Sequence, residues 1–207
     1  NLAGEFFPSV PEVREAAVMA HVTSRDDSGD VGTAAHDLLE LYVNAWIASG
    51  ERPTQLVIPT GTDARAIAAM RAGIAYLASR PEVVPIATEV AVGYVEGKLA
   101  VAGKLDLVLW NQKTAVLEIL DWKSSSRIEP FYAAQIAAYA WALEKMAGIR
   151  VRGNLIVVKL DKYSDRFEVH KVRDRKAATD LYRACDAICQ LTEETDQFAP
   201  SKVAVVI

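Results

Sequence analysis

Between Gly103 and Lys123 two apolar runs flank a short polar link, a pattern that reads as a β-hairpin. The first run is Gly103-Lys104-Leu105-Asp106-Leu107-Val108-Leu109-Trp110. The link is Asn111-Gln112-Lys113-Thr114, and the return is Ala115-Val116-Leu117-Glu118-Ile119-Leu120-Asp121-Trp122-Lys123. Upstream, Thr88–Val95 is strand-like and turns at Glu96-Gly97 into Lys98–Trp110, so three antiparallel strands are expected in succession. Downstream, Ser124-Ser125-Ser126 leads into a helical pattern from about Pro130 that carries Gln135 and Tyr139.

The hairpin carries an unusual polar load. Side chains along a strand alternate faces, so Asp121 and Lys123 point the same way and Trp122 points opposite, into the core. Asp106 lies on the partner strand, where pairing can bring its carboxylate near that of Asp121. Two carboxylates and an ammonium among Leu, Val, Ile and Trp are costly to bury without partners. A shared divalent cation would offset that cost, and oxygen ligands suit Mg2+ or Mn2+, one ion or two. Lys123 would then sit beside the metal, able to orient or deprotonate an attacking water or to steady charge on a phosphate. Gln135 and Tyr139 are four apart on one helical face, where amide and phenol can bond a phosphate or hold the lysine.

Elsewhere the reading is plainer. Pro11–Ala20 has helical character, and the polar run Ser24-Arg25-Asp26-Asp27-Ser28-Gly29-Asp30 is expected to be a loop. Thr33 then reads as an N-cap of a helix reaching Ser49-Gly50, with His36 heading the line Leu39, Val43, Ile47. On the helix alone, His36 is by default a satisfied core residue. Ala64–Arg80 is helical and Asn154–Lys159 is a buried strand, pairing parallel after a right-handed crossover. Phe167–Val172 is an edge strand with His170 toward solvent, and Arg175–Thr192 is a last helix. The tail Lys202–Ile207 is strand-like. Gly103 is expected at a bulge or a close backbone approach. The sum is one α/β domain over residues 1–207, with a mixed central sheet and helices on both faces.

An Asp, then Asp-X-Lys one hairpin later, then Gln-X-X-X-Tyr on the next helix resembles the PD-(D/E)XK nuclease superfamily, and within it the RecB-type, phage exonuclease-like branch. That branch carries an upstream histidine in a Gly-X-X-X-His setting, and Gly32-Thr33-Ala34-Ala35-His36 matches it. A lone Asp-X-Lys triplet is common by chance, whereas four ordered motifs on the expected elements are specific. The matches span roughly Gly32 to Lys159, and Phe6-Phe7-Pro8-Ser9-Val10 adds a segment seen in phage-type relatives.

The resemblance implies a restriction-endonuclease-like core and a metal-dependent DNA nuclease, an exonuclease of recombination, repair or phage DNA processing. It implies His36, Asp106, Asp121 and the Trp122 carbonyl as metal ligands, with catalysis by Asp106, Asp121 and Lys123. Glu89 is either a further ligand, as several relatives place a carboxylate on that strand, or a surface strand residue. Gln135, Tyr139, Lys104 and Arg127 are the expected substrate contacts. DNA is the implied partner, with room for a homo-oligomer or a recombination partner protein.

Charge gives a counterweight. With 23 Lys and Arg against 27 Asp and Glu, the net charge is −4, whereas nucleic-acid binders are often basic. Metal ions can supply positive charge where an acidic site meets phosphate. Local cations (Lys98, Lys104, Lys113, Lys123 and Arg127, then Lys145, Arg150 and Arg152) add to it. The only cysteines, Cys185 and Cys189, are too few for the four-cysteine iron–sulfur cluster of some relatives, so none is expected and a small buried pair is. No apolar run approaches the roughly 18 residues of a membrane span, and no leader is visible, so a cytoplasmic protein without membrane contact is expected. Two competing readings remain. One is a nuclease-like module that binds DNA or protein without cutting. In the other, the ionic cluster is purely structural, an arrangement that seldom adds stability.

Overall fold

A computed structural model describes the backbone of residues 10–97 and 99–194, and side-chain burial over 29–97 and 99–187. The readings for Phe6–Ser9, Lys98, the side chain of Cys189 and the tail 202–207 lie outside the described residues.

A five-stranded mixed sheet forms the middle of the structure, in the order β1 (Val83–Glu96), β2 (Leu99–Asn111), β3 (Val116–Lys123), β4 (Leu155–Leu160), β5 (Phe167–Lys171). The first three strands pair antiparallel, β4 joins β3 in parallel and β5 closes the edge antiparallel. Among the described residues four helices flank it: α1 (Val10–Ser49), α2 (Ala64–Ala78), α3 (Pro130–Ala147) and α4 (Arg175–Glu194). This is the α/β restriction-endonuclease-like core that the sequence implied.

Strand alternation sorts the core into two layers. Leu107, Leu109, Leu120, Trp122, Ile156 and Val158 pack against Leu39, Tyr42, Val43 and Trp46 of α1 and Met70, Tyr76 and Leu77 of α2. On the other face Val108, Ile119, Leu155 and Val157 meet α3, whose Ala134, Ala137, Ala138 and Ala140 let it lie close to the sheet. Ala178 and Tyr182 bring α4 to that same side.

Several local expectations need correcting. α1 runs unbroken through the stretch Ser24–Asp30. Polar composition marks a loop only weakly, because those residues cost a helix tenths of a kcal/mol each and glycine about 1 kcal/mol. Thr33 is therefore inside α1, where its hydroxyl donates to the Gly29 carbonyl at 3.2 Å, the back-bond open to a mid-helix threonine. Ile47 is exposed, and Trp46 fills the core position instead. The hairpin link sits one residue later than read: Asn111 belongs to β2, and Ala115 is in the turn with φ 53°. The Asn111 side-chain oxygen accepts from the amides of Lys113 and Thr114, both at 3.1 Å, which fixes that turn. Cys185 is half-buried rather than buried. Gly103 lies in regular register, so it marks a close approach and no bulge.

Candidate active site

The register of the sheet brings the acidic residues together. The β2–β3 ladder stops at Leu107 opposite Leu120, so one step further Asp106 stands across from Asp121. In the β1–β2 ladder, Thr88 pairs with Leu107 and Val90 with Leu105, which leaves Glu89 across from Asp106. Glu89, Asp106 and Asp121 thus occupy one row over three neighbouring strands, and both ladders are interrupted at that row. The interruption on β1 is sharp: Glu89 has φ 52°, a left-handed conformation that a residue with a side chain adopts at a cost. On β3, the Trp122 amide donates to Asp106 Oδ2 at 2.6 Å in place of a ladder bond.

Charges of both signs crowd the row. Asp121 Oδ2 lies 2.7 Å from Lys123 Nζ, and the Asp121 side chain is only 6% exposed. Apart from that ion pair, this buried oxygen has no hydrogen-bond partner among the described residues. Burial, joined by the neighbouring Asp106 charge, pushes the Asp121 carboxyl up to about 6, against the pull of Lys123 and His36. His36 Nδ1 is 3.6 Å from Asp106 Oδ1. Burial disfavours the imidazolium, but the Asp106 carboxylate outweighs it and the His36 pKa is raised. Lys123 Nζ also stands 4.9 Å from the centre of the Tyr132 ring, a cation–π contact.

A cleft of about 470 Å3 takes in His36, Glu89, Lys104, Asp106, Trp122, Lys123 and Tyr132; the buried Asp121 is not part of its lining. The Trp122 indole is buried in the α1/α2 layer, so the main chain of that residue is what reaches the cleft. Lys104 pairs with Glu89 at the rim. Gly32 and His36 lie one helical turn apart. A Cβ on Gly32 would stand 2.8 Å from Ser124 Oγ, so the glycine lets the loop after β3 pass close to α1 while His36 reaches Asp106. That is the physical sense of the Gly-X-X-X-His spacing.

Three expected substrate contacts stand elsewhere. Gln135 Nε2 donates to the Tyr139 hydroxyl at 3.1 Å, and the Tyr139 ring lies against Gly103, where any Cβ would collide with it. Neither side chain lines the cleft; together they clamp α3 onto β2. Arg127 is exposed on the β3–α3 loop and does not line the cleft either. The residue α3 does present there is Tyr132, which sequence reasoning missed. The signal was available, since Tyr132, Gln135 and Tyr139 share a helical face at i, i+3 and i+7.

Among the described residues no group of three His, Cys, Asp or Glu side chains is arranged to hold a metal ion as it stands. The donor chemistry nevertheless fits one. A buried carboxylate oxygen without a hydrogen bond, beside a second carboxylate and an imidazole, is what a hard cation would satisfy. The Lys123 ammonium supplies positive charge at that point in the structure described.

Among the described residues no helix is long and apolar enough to cross a membrane. A comparison with curated proteins gave no match. The family model for the PD-(D/E)XK nuclease superfamily matches residues 12–203, nearly the whole sequence and every element described above. The chain belongs to the PD-(D/E)XK nuclease superfamily.

Proposed function

We propose that this chain is a divalent-metal-dependent deoxyribonuclease that degrades DNA from an end. The observation that carries the reading is the acidic row, with Asp121 buried and lacking a hydrogen bond beside Lys123 and His36. Membership implies a nuclease with DNA as substrate, and members of the superfamily typically use divalent ions. In this reading Asp106, Asp121, His36 and the Trp122 carbonyl hold the metal, with Glu89 a further carboxylate at its edge. When bound, such an ion, Mg2+ or Mn2+, lowers the pKa of water and neutralises charge at the scissile phosphate.

The chain's own groups do the rest. Lys123 Nζ, kept in the cleft by Asp121 and the Tyr132 face, donates to the attacking water and to the phosphate oxygens as charge grows on them. Asp106 is fixed by the Trp122 amide, so its free oxygen and His36 are held in one orientation. Lys104 at the rim adds charge toward the phosphate backbone. Hydrolysis breaks one P–O bond, puts the water oxygen on phosphorus and releases an alcohol. Exonuclease action is favoured by the likeness of the Gly-X-X-X-His spacing and the acidic row to the RecB-type, phage exonuclease-like branch.

Digestion of end-labelled linear and closed circular DNA, with Mg2+ and then Mn2+, tests this. Linear DNA should be degraded and circles spared, and Asp121→Ala and Lys123→Ala should each abolish cleavage while leaving a cooperative melt. Cleavage by either variant at the wild-type rate refutes the assignment. A second reading, a module that binds DNA without cutting, draws on the lack of a ready three-residue metal cage among the described residues. DNA binding without cleavage by the wild-type protein would select it.

A further inference from the structure

Beside the cleft lies a second hollow that the proposed chemistry leaves unused. A cavity of about 820 Å3 opens between the loop after β3 and the turn joining β4 to β5. Ser124, Ser125 and Lys162 line both this cavity and the cleft, so the two spaces adjoin along a common wall.

The turn is built to hold one shape. The Asp161 amide donates to the Arg166 carbonyl at 3.1 Å, closing the loop across its base. The Asp161 carboxylate accepts from the Tyr163 amide and the Ser164 hydroxyl, both at 2.8 Å, and Arg166 Nε donates to that hydroxyl at 3.2 Å. This network fixes the backbone at Tyr163 yet leaves the residue 83% exposed, so an ordered turn displays an aromatic ring to solvent. Around it the wall carries three cations, Lys159, Lys162 and Arg166, against two carboxylates. One of those, Glu168, is paired with Lys159 at 2.8 Å; the other, Asp161, is turned onto the donors of its own turn and feels Arg166, while Lys162 interacts with Asp63 from outside the wall.

A lone exposed tyrosine needs no explanation. A tyrosine held by a rigid turn, among cations, on a wall shared with the cleft for the scissile phosphate, combines what binds unpaired nucleotides: a stacking platform and a positive track. A base can offer its face to such a ring only when it has left the duplex stack. Every base has such a face, so the contact is indifferent to sequence, as suits a nuclease working from an end.

We propose that this cavity receives a single-stranded DNA segment continuous with the scissile phosphate, one base stacking on Tyr163 while the adjoining phosphate meets Lys162 and Arg166. The proposal rests on the nuclease reading of the neighbouring cleft, but its test is separable from that reading. Binding of a fluorescent single-stranded 12-mer oligonucleotide and of a blunt duplex is measured by anisotropy in EDTA, for wild type, Tyr163→Ala and Tyr163→Trp. Cleavage of both DNAs is then followed with Mn2+. Loss of one base–aromatic stack predicts that Tyr163→Ala binds the single strand about 5- to 150-fold more weakly, with KM raised and kcat little changed. Tyr163→Trp should bind as wild type does, and duplex binding should barely respond. Unchanged single-strand affinity in Tyr163→Ala, equal loss in Tyr163→Trp, or no single-strand binding by wild type each overturns the proposal. If wild type cuts nothing yet Tyr163→Ala loses single-strand affinity selectively, the nuclease reading falls and the stacking site stands.

Discussion

Replacing Asp121 by Asn in the metal-free protein should change how stability depends on pH, and the sign follows from the structure. The Asp121 carboxyl is raised from 3.8 to about 6 in the folded chain, first by burial and then by Asp106. A carboxyl raised by folding costs the native state stability once ionised: the full cost applies above pH 6 and vanishes as pH falls toward 3.8. A rise of that size corresponds to at most about 3 kcal/mol at pH 8. The raised pKa of His36 works in the same direction, since its stabilisation is present below 6.5 and lost as pH climbs through the folded value. Surface carboxylates held low by their partners (Asp63 and Glu82 by arginines, Asp161 by the Tyr163 amide) lose stability only below their ordinary values of 3.8 to 4.5. Between pH 8 and pH 5, then, wild type in EDTA should gain about 1–3 kcal/mol, and Asp121→Asn should lose most of that gain. The readout is the difference between the two pH values in urea unfolding, because the amide also removes the ion-pair partner of Lys123 and so shifts absolute stability. A wild-type protein no more stable at pH 5 than at pH 8, or an Asn variant with the same pH dependence, would refute the electrostatic account of the row.

Three further outcomes are expected. Mg2+ or Mn2+ at a hundred times its Kd should stabilise wild type by about 2.7 kcal/mol, read as a shift in thermal melting, and Asp106→Ala should abolish the shift. Gly103→Ala should cost about 1–3 kcal/mol in chemical denaturation, because the new methyl meets the Tyr139 ring; adding Tyr139→Ala should make the glycine change nearly silent. Arg80→Ala should cost about 3–5 kcal/mol, because it takes the guanidinium (2.9 Å) from Glu118, whose side chain is 2% exposed and retains only the amides of Asn111 and Asn154. Pairing that change with Glu118→Gln should restore much of the loss.

Part of the candidate site could be read from the chain because strand alternation and hairpin pairing fix which residues share a face. The exact register could not: a turn at Glu96-Gly97 and a link at Asn111–Thr114 would set Asp106 across from Ala87 and Ile119, and the observed pairing moves each by two residues, to Glu89 and Asp121. The edge strand β5 and the Asp-X-Lys geometry followed from alternation, and the parallel β4 from the crossover helix before it. What escaped depends on contacts between distant parts of the chain. The left-handed backbone of Glu89 is imposed by its surroundings, since glutamate has no preference for it. The course of α1 through a polar stretch, with Thr33 inside it, overrode local composition. Gln135 and Tyr139 were expected over the cleft because a shared helical face does not say how far along the sheet it reaches. Tyr139 stops above Gly103, and Tyr132, nearly two turns earlier, takes the cleft.

The Trp122 amide gives its hydrogen to the side chain of Asp106 rather than to a backbone carbonyl of the neighbouring strand. That residue therefore joins the acidic row through its main chain, although its ring packs in the layer facing α1 and α2. An ion settling on Asp106 would shift the nitrogen–hydrogen resonance of Trp122. The backbone thus carries its own gauge of whether the row is occupied.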